Sequence, residues 1–110
     1  MKPMKIDGYD FQGPYVAGKD EIPAVSGIAL IVTEAGEGAK ILAIETADDL
    51  SQLSSSPRLP VWKENCYHGI VDVYVHEMAP PKRDSVAKSM IDKRASTLTC
   101  QIIEAIVDDW

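Results

Sequence analysis

The chain has 110 residues, 45% of them hydrophobic and 25% charged, with 17 acidic side chains against 11 basic ones and a net charge of -6. Such a length buries one modest core, roughly two-thirds of the unfolded surface, and this composition argues against intrinsic disorder. The acidic balance repels a polyanion at long range and so disfavours nucleic acid as a partner unless a local basic patch outweighs the total.

Residues 1–20 carry many Gly, Asp, Lys and Tyr side chains and contain the breaker Gly13-Pro14, so they read as an irregular lead-in with a short edge strand near Tyr15-Val16. Gly27 to Thr33 is an aliphatic run of strand length that ends on a β-branched pair. Two glycines in Glu34-Ala35-Gly36-Glu37-Gly38-Ala39 supply turn chemistry, and Lys40 to Glu45 is the second apolar run, giving an antiparallel hairpin with a loop of several residues. Thr46 stands where a hydroxyl caps a helix, Asp48 and Asp49 follow near its positive end, and Ala47, Leu50 and Leu53 share one face. Ser54-Ser55-Ser56-Pro57 stops it. Leu59 to Cys66 reads as another short helix with Pro60 in its first turn and Trp62 as a core anchor.

Ile70 to Met78 is the clearest strand, its β-branched residues alternating with Asp72, Tyr74 and His76 on a polar face. Asp84 or Ser85 then caps a helix through about Ala95, with Val86, Ala87, Met90 and Ile91 on its apolar side. The tail from Thr99 to Trp110 fits a final amphipathic helix, with a strand as the second reading. The expected fold is therefore α+β in a single domain: a small antiparallel three-stranded sheet flanked by helices over 21–98, followed by a C-terminal helical extension over 99–110.

The order hairpin, short helix, third strand, helix resembles the core of the GIY-YIG nucleases. Ile22-Pro23-Ala24-Val25-Ser26-Gly27-Ile28 is similar to the approach to that family's first strand. Gly27-Ile28-Ala29 stands in place of its first signature triad and Ala43-Ile44-Glu45 in place of its second. Thr46 to Leu53 lies where the family's arginine-bearing helix begins, and Trp62-Lys63-Glu64-Asn65-Cys66 before a Val-rich strand looks like a small bacterial subgroup of the fold. The resemblance covers residues 20 to about 100. It implies a cleft in which tyrosines, a helix arginine and a metal-holding glutamate cooperate in phosphodiester cleavage.

The departures fall on those positions. Ala29 and Ala43 replace the tyrosines, and a methyl group transfers no proton. Glu45 puts an anion where a phosphate would pass. Arg58 lies beyond the serine-proline break, where only a rearrangement would bring it inward, and Asp92 is the nearest carboxylate on the last helix. Losing most of these groups removes most of a barrier reduction of about 8 kcal/mol or more. The expectation is a non-catalytic domain, not an enzyme, with no cofactor and no metal.

Other chemistry is thinner. Cys66, His68, His76 and Cys100 are zinc-ligating atom types, but their spacing matches no strong zinc signature. Lys82, Arg83, Lys88, Lys93 and Arg94 form a basic stretch that Asp84 and Asp92 interrupt, which reads as a solvated helix face. No apolar run is long enough for a bilayer, and Met1 to Asp10 has no signal-peptide core, so a cytoplasmic location is expected. The only two cysteines there read as reduced thiols. Ile102, Ile103, Ile106, Val107 and Trp110 offer more apolar surface than the core needs. They point to a protein-interaction module, in one form a homodimer. The alternatives are a nucleic-acid-binding domain that keeps the cleft, using Arg58, Lys63 and the basic helix, and a divergent metal-dependent nuclease.

Overall fold

The computed structural model describes residues 4–35 and 38–98. The tail residues Ile102, Ile103, Ile106, Val107 and Trp110 lie outside this range, as does the helical extension expected for 99–110. The described strands are β1 (Met4–Ile6), β2 (Tyr9–Val16), β3 (Gly27–Ala35), β4 (Gly38–Ala47) and β5 (Asp72–Glu77). The helices are α1 (Leu59–Asn65) and α2 (Lys82–Arg94), with 3-10 turns over Leu50–Ser55 and Tyr67–Gly69. All strand pairs are antiparallel, in one five-stranded sheet of order β1-β2-β5-β3-β4.

That order corrects the expected three-stranded sheet. The strands expected near 27–33, 40–45 and 70–78 exist, but β5 pairs with β2 on one side and β3 on the other, so the supposed lead-in supplies two more strands. Gly13-Pro14 does not end β2. It sits in a bulge where the register jumps from Gln12↔Val75 to Tyr15↔Val73. Proline removes a ladder donor, yet β1 reaches only as far as Phe11, so no neighbouring strand on that side needs the missing N–H. A Cβ at Gly13 would lie 2.8 Å from the Val73 carbonyl oxygen, so the bulge also requires a glycine there. Before it, Asp7 (φ 53°) and Gly8 (φ 85°) connect the paired Ile6 and Tyr9 in a two-residue turn with both φ positive.

The sheet is buried on both faces. Ala29, Ile31, Ala43, Val73 and Val75 face Ile22, Leu50, Leu53 and Trp62, carried by the β2–β3 loop, the first 3-10 turn and α1. Ile28, Leu30, Val32, Ile44 and Phe11 face Ala87 and Met90 of α2 and then Leu98. A second bulge sets the β4 faces: Ile31 pairs with Ala43 but Val32 with Ile41, so Leu42 is the extra residue and joins Ala43 in the same cluster. Gly27 admits the neighbouring strand, because a Cβ there would come within 2.2 Å of the His76 carbonyl oxygen.

The helix expected from Thr46 starts later. Thr46 and Ala47 extend the hairpin opposite Ile28 and Gly27, and Asp49 is the cap, its carboxylate accepting from the Ser51 N–H at 3.0 Å. Leu50 and Leu53 are buried at i, i+3 spacing, which a 3-10 turn stacks on one side. At the far end, Arg94 of α2 donates to both carboxylate oxygens of Asp7 at 3.0 and 2.6 Å, tying the β1–β2 turn to the helix. Those bonds, against a smaller opposing effect of burial, hold the Asp7 carboxyl below its ordinary value. A depressed carboxyl gives stability that is complete above its unfolded pKa and is lost as pH falls through the lower folded value. In acid titration, Asp7→Asn should therefore narrow its stability deficit against the parent below the usual carboxylate range, which paired urea melts at stepped pH measure.

Candidate functional site

Ala29 of β3 has Val75 and Glu45 as its cross-strand partners, and the next pair down joins Ile31 to Ala43. Ala29, Ala43 and Glu45 therefore project from the same face of the sheet. Both alanines are 0% exposed. Their methyl groups lie in the apolar cluster with Ile22, Leu50, Leu53 and Trp62, so both positions are part of the packed core.

Arg58 precedes α1 and needs no rearrangement to reach inward, which corrects the expectation. Its Nη1 donates to both Glu45 carboxylate oxygens at 2.9 and 3.1 Å. The two side chains are 29% and 12% exposed, so the pair is only partly screened by water. Asp92 does not belong with them. It is exposed on α2, on the opposite side of the sheet. Of the five candidate cleft residues, four share a face and Asp92 does not. A double-mutant cycle on Glu45→Gln and Arg58→Met should give a coupling of about 1 kcal/mol by denaturant unfolding.

The basic stretch is also partly consumed within the fold. Arg83, 8% exposed, donates to Asp48 at 2.7 Å, to Asp84 at 2.9 Å and to the Ser26 hydroxyl at 3.0 Å, which pins the start of α2 to the hairpin. Arg94 is bound to Asp7. Lys82, Lys88 and Lys93 stay exposed on α2. His76 turns its ring against Tyr9 and Phe11, and its Nδ1 lies 2.7 Å from the Asp10 carbonyl oxygen. Cys66 is buried on the other face of the sheet beside Trp62. Among the described residues no group of three or more His, Cys, Asp or Glu side chains is placed to hold a metal ion.

Two open concavities lie beside this packed cluster. One, of about 730 Å³, is bounded by Tyr15, the loop from Gly18 to Ala24, and Ser51 and Ser54. The other, of about 370 Å³, lies over the β2–β5 end of the same sheet face, with Tyr15, Pro23, Val25, Val75 and Glu77 around it. Tyr15 and Pro23 border both, so they form one groove. Sequence reasoning missed it because it depends on β2 lying next to β5. The available signal was the acidic pair Asp20-Glu21 directly before the buried Ile22.

Burial raises the Asp72 carboxyl above its ordinary value, and Glu34 and Asp20 add like-charge repulsion. A raised carboxyl makes the fold more stable when protonated, so its contribution declines as pH rises from the unfolded pKa through the higher folded one. Asp72→Asn should raise the melting midpoint at neutral pH, by at most about 0.5 kcal/mol of stability. The gain should vanish in acid, as scanning calorimetry at the two pH values would register.

Comparison with family models, with curated proteins and with solved structures finds no match to this chain. Among the described residues no helix is long and apolar enough to cross a membrane.

Proposed function

We propose that this chain is a non-catalytic, GIY-YIG-like domain that acts as a cytoplasmic protein-interaction module, with self-association as one form of that activity. The observation that carries the reading is the complete burial of Ala29 and Ala43. A position enclosed by leucine, isoleucine and tryptophan side chains presents neither a general base nor room for a phosphate. The Glu45–Arg58 pair supports it further, because the arginine that could meet a phosphate is already engaged by a carboxylate. The net charge of -6 and the engagement of Arg83 and Arg94 by aspartates weigh against the nucleic-acid reading.

Fluorescence anisotropy with labelled single- and double-stranded DNA, in magnesium at low and moderate salt, tests this. No salt-sensitive binding and no cleavage are expected; either one would sink the reading. Sedimentation velocity of the full chain should show a concentration-dependent dimer that Ile103→Asp with Val107→Asp abolishes. The same monomer in both would remove self-association from the proposal.

A further inference from the structure

We infer that the groove between the β2–β5 end of the sheet and the loop from Gly18 to Ala24 docks an extended, cationic peptide segment of a partner protein. This rests on the interaction-module reading and names the partner's chemistry. The floor is apolar and aromatic: Tyr15 and Pro23 at the junction of the two lobes, with Val25 and Val75 beyond. The walls are acidic, Asp20 and Glu21 along one lobe and Asp10 and Glu77 along the other, against a single lysine, Lys19.

Among the described residues the charge is not neutralised by arginine. The chain has three arginines, and each is paired elsewhere: Arg58 with Glu45, Arg83 with Asp48 and Asp84, Arg94 with Asp7. Among the described residues neither Glu21 nor Glu77 takes part in an ion pair. Among the described residues the Asp10 carboxylate forms an ion pair only with Lys5, at 3.9 Å with both side chains largely in water. Asp20 accepts a hydrogen bond from the Val16 N–H, which orients its carboxylate but leaves its charge in place.

Shape favours a chain over a small ion. The two lobes, of about 730 and 370 Å³, share Tyr15 and Pro23 in their linings. Each is large enough for side chains, and successive residues of an extended segment alternate direction as they pass along a groove. A guanidinium or ammonium over the Tyr15 ring would gain cation–π attraction while its neighbours meet Glu21 and Glu77. A polyanion would meet the same walls with the opposite sign.

The test is anisotropy of a short fluorescein-labelled peptide of alternating Ala and Arg, with the Ala-Glu peptide as control. The full chain should bind the Arg peptide and not the Glu peptide, more weakly as salt rises. Glu21→Gln with Glu77→Gln should weaken that binding by about tenfold, since two rim charges are lost from the contact. Glu64→Gln with Asp92→Asn makes the same change in net charge at exposed sites outside the groove and should leave the affinity within about twofold of the parent. Circular dichroism melts confirm that each variant is folded. Equal weakening by the two pairs would mean attraction to net charge and would overturn the inference. Absence of Arg-peptide binding at low salt would overturn it too. The interaction-module reading would then stand or fall separately, on the DNA and sedimentation results.

Discussion

Placing tyrosines where the proposed resemblance would have them, Ala29→Tyr with Ala43→Tyr, should collapse stability and confer no cleavage. Each position is 0% exposed and surrounded by packed aliphatic and indole side chains. A phenol there adds a ring to a filled core, and overpacking of even a few methylenes costs about 1–3 kcal/mol. The buried hydroxyl adds about 1–3 kcal/mol more where it finds no partner. Two such insertions approach the whole stability of a small domain, about 5–15 kcal/mol. The expected result is loss of the cooperative urea transition in the double variant and a sharply lowered midpoint in each single one. A folded double variant that cut DNA with magnesium would mean that the cleft is open, and the proposed function would have to be abandoned.

The second large effect belongs to Trp62. Among the described residues its indole is the largest fully buried side chain, and it joins α1 to the sheet face that carries the alanines. Trp62→Ala should cost about 3–5 kcal/mol, the range for deleting a buried aromatic. Among the described residues the indole Nε1 has no hydrogen-bond partner. A buried donor without a partner contributes nothing that phenylalanine would lose, so Trp62→Phe should cost less than half as much. Equilibrium denaturation of both variants measures the difference. Equal losses would show that the Nε1–H, and not the ring volume, is the anchor.

The hairpin of β3 and β4, the strand β5 and the helix α2 were legible because each has its own local signal. β-branched runs mark the strands, and Ala87 and Met90 mark the buried side of the helix. The N-terminal hairpin was legible too, but it was misread. Asp7-Gly8 is a strong two-residue turn signal, but Gly13-Pro14 has the composition of a break, and only a partner strand shows that it fills a bulge. Strand periodicity places Ala43 and Glu45 on one face, but the register that adds Ala29 and the closure over all three are not local. Ile22, Leu50 and Trp62 cover them from three separate segments, and no local pattern encodes that. Asp92 was misplaced for the same reason: helix periodicity assigns a side of the helix, not the side of the sheet on which the helix packs.

The strand order also has a consequence for how the chain is made. β2 leaves the ribosome before its sheet partner β5, with Gln12 set against Val75 far along the chain. Until β5 emerges, the hairpin of β1 and β2 has no sheet to join, and its inner edge offers unsatisfied main-chain groups to any other nascent strand. Pairing over such a separation is slow. The bulge at Gly13-Pro14 interrupts that edge where it would otherwise be longest, so a feature that fits β2 to β5 in the finished protein also makes β2 a poor template for a wrong partner while it waits.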